Sequence, residues 1–153
     1  MASPDNVFQE RRAASLSMIQ ELVDVRTEML SLYSELAAQQ PFEASEPTLD
    51  LLEQFCQALI DYTADAHFRL YRFIDERRER RRAVLEVADR VYPCIVTTTQ
   101  AILDFNDKYD FEDQAPDLSS LEDDLSRLGE CLADRIELED QVIRVMKGRR
   151  EGE

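Results

Sequence analysis

The sequence predicts an all-α fold, an antiparallel up-and-down bundle of about four long helices. Three observations carry this. Apolar residues recur with a helical period almost throughout, and no segment shows sustained two-residue alternation. Only three glycines and five prolines punctuate 153 residues, so tight turns are few. The stretches between turn signals are long, and long amphipathic helices with short connections make bundles.

The first helix is expected from about Asn6 to Gln39, burying Met18, Leu22, Val25, Met29, Leu32, Tyr33 and Leu36. Gln40-Pro41 stops it, because the residue before proline avoids the α region. PFEASEP is the first loop, and Pro47 suits the opening turn of the second helix. At about 100° per residue, Leu52, Phe55, Leu59, Tyr62, Thr63, Ala66, Leu70 and Phe73 form one stripe. The helix then enters RRERRR, Arg77 to Arg82, which reads as a solvated end or loop.

The third segment keeps one phase through Val84, Val87, Val91, Ile95, Thr98, Ile102, Phe105 and Tyr109. Pro93 does not reset that phase, so a kink or close restart is expected there. DFEDQAPD forms the last connection, with Asp117 as the expected N-cap. The fourth helix carries Leu121, Leu125, Leu128, Leu132, Val142, Ile143 and Met146. The chain reads as one helical-bundle domain over 1–153, with 1–5 and 148–153 as frayed termini.

Composition narrows the function. The content of 44% hydrophobic residues is too high for a disordered tail, and 33% charged residues exclude a membrane protein. No run approaches the roughly 20 apolar residues of a membrane span. The N-terminus meets charged residues before any apolar stretch, unlike a secretory signal. Cys56, Cys94 and Cys131 are odd in number and far apart, and read as reduced thiols. Together these predict a cytoplasmic protein. A net charge of −15 argues against direct nucleic-acid binding and suits a partner with a basic surface. It equally suits plain solubility.

Two features of the helical stripes stand out. Phe68 falls opposite the apolar stripe of the second helix, among Asp61, Ala64, Asp65 and Arg72, with Tyr71 nearby. An aromatic there forgoes roughly 1.5–3 kcal/mol of burial and needs a second partner. Conversely, Arg135 and Glu139 lie four residues apart within the apolar stripe of the fourth helix, and Arg26 intrudes into that of the first. Buried charges must pair, so a polar network of Arg26, Tyr62, His67, Arg135 and Glu139 is expected. It reads as an ion pair fixing bundle register, or as a pocket between helix ends.

No catalytic constellation is assembled. There is no Ser-His-Asp or Cys-His pattern and no glycine-rich phosphate loop. The acidic pairs lack an apolar pocket to tune a general acid. His67 is the only histidine, and residue 64 is Ala, so the Glu-x-x-His element of metal-holding bundles is missing. No enzyme, cofactor or metal is expected.

The run FCQALIDYTADAHFRLY, from Phe55 to Tyr71, resembles the Rsd/AlgQ family, regulators of the housekeeping sigma subunit of bacterial RNA polymerase. LGECLADRIELEDQVI resembles that family's closing helix, ELVDVRTEML fits its first helix, and Tyr92-Pro93 sits at an aromatic-proline pair. The resemblance runs from about Glu10 to Val145. It implies a helical anti-sigma factor that binds the C-terminal, promoter −35-reading region of sigma. The family's binding surface draws on the positions of Asp61 and Phe68. A serine also used there is Ala64 here, Asp65-Ala66 stand where relatives tend to carry Ala-Gly, and Leu22 stands where many have Trp. The free protein is expected to be a monomer without nucleic-acid or membrane partners. Two other readings stay open: a bundle holding a small ligand or metal near His67, Arg135 and Glu139, and a homodimer packed through Phe68.

Overall fold

A computed structural model describes residues 4–71, 82–110 and 116–148. Phe73, Arg72, residues 77–81 of the arginine cluster, residues 111–115 of the last connection and the extreme termini lie outside them. The described residues form α1 (Pro4–Ala37), α2 (Glu46–Ala66) with a π-helical turn (His67–Tyr71), α3 (Arg82–Lys108) and α4 (Leu121–Lys147). No strand occurs among them. The all-helical architecture follows the hydrophobic period.

Local chemistry sets most boundaries. α1 ends at Ala37, two residues before the expected Gln39, in a turn where the Gln39 N–H bonds the Leu36 carbonyl at 2.9 Å. Ser45 stands at the N-cap of α2 with Pro47 in the first turn, where its missing N–H costs nothing. α3 continues through Pro93 without a restart. Pro93 is exposed, so the carbonyl it strands one turn back lies on the wet side of the helix.

Asp117 is not the cap of α4. That position is Ser120, because a turn closed by the Leu121 N–H on the Leu118 carbonyl (3.1 Å) intervenes. Asp117 instead accepts the Ser119 N–H at 2.9 Å, organising the turn itself. Glu122, Asp123 and Asp124 in the first turn of α4, and Arg144 and Lys147 in the last, complement the helix dipole.

α1 packs broadly on α2 and α3 on α4, while α1 also touches α4 and α2 touches α3. The helices therefore ring the core in the order α2, α1, α4, α3, leaving α2 and α4 diagonally opposed. Tyr33 of α1 donates to the Leu125 carbonyl at the start of α4 (2.8 Å), whereas Arg26 reaches Asp140 near its end. α1 and α4 thus run antiparallel. Leu22, Met29, Leu36, Leu52, Phe55, Leu59, Ile95, Ile102, Leu125, Leu132 and Val142 fill the centre. Ile19 and Ala88 join them, and Met18, Val25, Leu32, Tyr33 and Val87, expected in the core, are only partly buried.

Candidate partner-binding face and buried polar network

α2 presents two faces to different surroundings. Its inner stripe is buried as the period requires, including Tyr62, Thr63 and Ala66. On the outer side Asp61, Ala64 and Phe68 are exposed, Phe68 by 58%. Asp61 accepts a bond from Gln57 one turn back at 3.0 Å, which holds its carboxylate on the surface. Asp65 is half-buried and accepts from Arg69 at 2.6 Å, and Arg69 also pairs with Glu21 of α1. Those two carboxylates outweigh one guanidinium, so the flank of α2 toward α1 is acidic.

The π-helical turn separates residues that a uniform α period groups together. Its wider i→i+5 ring takes up one extra residue, about 100° of phase. Tyr71, expected on the outer face, consequently turns inward and is buried beside Leu70. His67, expected in the buried network, is exposed with its ring edge-on to Phe68 at 5.3 Å. The structure therefore does not bring His67 together with Arg135 and Glu139. Arg72 lies outside the described residues.

Beneath that turn, Arg135 and Glu139 of α4 are 1% and 0% exposed. Glu139 accepts the Tyr62 hydroxyl at 2.6 Å and the Tyr71 hydroxyl at 3.3 Å. Arg135 Nε lies 3.3 Å from Glu139 Oε2 and donates to Tyr62 Oη at 3.1 Å. Arg135 Nη1 donates to Thr99 Oγ1 (2.7 Å) and Thr98 Oγ1 (3.1 Å) on α3. Arg26 of α1 completes the set, with Nη1 2.9 Å from Asp140 and 3.5 Å from Glu139. All four helices thus contribute, and each buried charge meets an opposite one.

The electrostatics follow from burial. Desolvation, reinforced by the Glu139 carboxylate, pushes the Tyr62 hydroxyl well above its ordinary range, and Tyr71 is raised for the same reasons. Burial works against the charged Arg135 guanidinium, but the acidic groups around it outweigh that, and it stays protonated. Both tyrosines are therefore permanent donors at neutral pH. Sequence reasoning missed Tyr71, Thr98, Thr99 and Asp140 as partners. Two hydroxyls opposite a buried arginine were the available signal for the threonines.

Among the described residues no group of three or more His, Cys, Asp or Glu side chains is placed to hold a metal ion. No described helix is long and apolar enough to cross a membrane.

Comparison with known proteins identifies the family. The chain is similar to the protein "Regulator of sigma D" of Enterobacter sp. (strain 638), 34% identical over 138 residues, covering 88% of this chain and 82% of that protein. It is 30% identical to "Regulator of sigma D" of Yersinia enterocolitica over 138 residues, 88% of this chain and 83% of that one. The Yersinia pestis protein of the same name is 30% identical over the same shares, 88% and 82%. No solved structure gives a significant match. The family model described as "Regulator of RNA polymerase sigma(70) subunit, Rsd/AlgQ" matches residues 1–147, which takes in all four helices, the π-helical turn and every residue of the network. The chain belongs to the Rsd/AlgQ family of regulators of the RNA polymerase sigma(70) subunit.

Proposed function

We propose that this protein is a non-enzymatic, cytoplasmic anti-sigma factor, monomeric when free. It binds the C-terminal, −35-reading region of the housekeeping sigma factor and keeps it from core polymerase and promoter. The observation that carries this reading is Phe68, 58% exposed on the π-helical turn that continues the outer side of α2, where Asp61 and Ala64 are exposed as well. These are the positions at which the chain resembles the family's binding surface. A central aromatic ringed by polar groups is the usual anatomy of an interface anchor.

The mechanism is competition. A helix-turn-helix module meets phosphates with a basic face. A chain of net charge −15 approaches that face quickly and covers it. Ala64 leaves room for a partner side chain beside Phe68, and Asp61 pairs with a cation at the rim.

A pull-down from bacterial lysate at moderate salt tests this, with purified sigma C-terminal region as the follow-up. Recovery of the housekeeping sigma subunit, weakening as salt rises, supports the reading. Failure to bind the purified region at low salt overturns it.

A further inference from the structure

Three large apolar side chains of α3 remain on the surface after the bundle has formed. Tyr92 is 46% exposed, Val96 50% and Leu103 39%. Scattered singly, such residues need no explanation. These are not scattered. Steps of four and seven residues put all three on one face, over about three helical turns.

The strip has a defined place in the bundle. The Tyr92 ring meets Tyr71 edge-on at 5.9 Å, so the strip runs along the flank of α3 that borders α2. Burying its residues against another side chain is the ordinary fate of such a row, and within the bundle α2 leaves it uncovered.

Charge says what kind of partner fits. Asp89, three residues before Tyr92, and Asp107, four after Leu103, share its face within about 60° and are both exposed. The cations of α3 are committed elsewhere. Arg90 donates to Gln141 and Lys108 pairs with Asp124, both on the α4 side, and Arg82 pairs with Glu86. An apolar row, crossed midway by Thr99 and Gln100 and closed at each end by a carboxylate, is the complement of an amphipathic helix with basic residues at its ends.

We propose that Tyr92, Val96 and Leu103, with Asp89 and Asp107, form a docking strip for a basic amphipathic helix. This rests on the sigma-binding reading and extends it. One helix of the sigma C-terminal region lies along α3, while Phe68 anchors a second contact on α2. The bound region thereby spans two helices of the bundle, which fixes its orientation as well as its attachment.

The test uses the full-length chain and the purified C-terminal region of the housekeeping sigma factor. Binding isotherms are measured for the unaltered chain, for Val96→Gln/Leu103→Gln, for Asp89→Lys/Asp107→Lys and for Phe68→Ala. Glutamine keeps helix propensity, and an unchanged melting temperature verifies the fold of each variant. Loss of about tenfold or more in affinity for both strip variants is expected, the size of an anchor's contribution. Affinity within about twofold of the unaltered chain for Val96→Gln/Leu103→Gln, alongside a loss for Phe68→Ala, overturns the strip and leaves the α2 reading standing. No binding by the unaltered chain overturns both. Self-association of the free chain that Val96→Gln/Leu103→Gln abolishes also overturns the proposal, since the strip then serves a second copy.

Discussion

The Tyr62 hydroxyl donates to Glu139 Oε1 at 2.6 Å across the centre of the bundle, joining α2 to the helix diagonally opposite. No neighbouring pair of helices could make that bond, so it reports correct assembly of all four. Arg135 Nε lies 3.1 Å from the same hydroxyl and 3.3 Å from the same carboxylate, so Glu139 accepts from two tyrosines and pairs with two arginines.

Glu139→Ala therefore leaves Arg135 buried without its counter-charge and should destabilise the protein by about 3–5 kcal/mol. Glu139→Gln retains an acceptor for Tyr62 and should cost less. Urea denaturation of the two variants checks the order. Equal, small losses would mean that water reaches Arg135.

The pH dependence has a definite sign. The Tyr62 and Tyr71 hydroxyls are raised above the ordinary 10.0, chiefly by burial. Their contribution to stability is complete below about pH 10 and is lost as pH rises beyond it, because the unfolded chain releases those protons first. Ultraviolet titration should show both phenols ionising only as the protein unfolds in alkali. Ionisation of all five tyrosines near pH 10 with helicity retained would contradict the buried network.

Gly129 marks a close approach of α1 to α4. A Cβ there would collide with the Tyr33 hydroxyl, which donates to the Leu125 carbonyl at 2.8 Å. Gly129→Ala should destabilise by about 1–3 kcal/mol through overpacking, despite alanine's better helix propensity. Adding Tyr33→Phe removes the colliding oxygen and should recover part of the loss. Additive losses in thermal melts would show that the two side chains do not meet.

The two faces of α2 should separate cleanly. Leu59→Ala, fully buried, should lower stability by roughly 2–5 kcal/mol. Phe68→Ala should leave the melting temperature nearly unchanged and weaken sigma binding by about 2 kcal/mol. Asp61→Lys should weaken binding by opposing a basic partner. If Phe68→Ala melts as early as Leu59→Ala, the outer face of α2 is part of the core.

Cysteine chemistry gives an independent check on burial. Desolvation, then the nearby charges of Asp110 and Glu53, push the Cys56 thiol up to about 12. Burial also raises Cys131. Cys94 is exposed. At neutral pH Cys94 should react fastest with an alkylating reagent, and the partly buried Cys56 and Cys131 more slowly until the protein unfolds, as mass spectrometry of tryptic peptides would read.

The sequence by itself determined the helices and their inward faces. Burial of a long helix repeats every turn, so Leu52, Phe55 and Leu59, or Leu125, Leu128 and Leu132, declare their common side without knowledge of any partner. It also placed Arg135 and Glu139 in the core, since their position on a stripe is a local property. Tertiary structure decided what periodicity cannot carry. One π-helical turn shifts the phase after Ala66 and moves Tyr71 into the core, while His67, still in α phase one residue past buried Ala66, stays on the surface. The Leu118–Leu121 turn moved the start of α4 from Asp117 to Ser120. The partners of the buried charges came from the ring order of the helices. Tyr62 meets Glu139, and Thr98 and Thr99 meet Arg135, only because distant segments converge on one centre, and which segments converge is written in no single stripe.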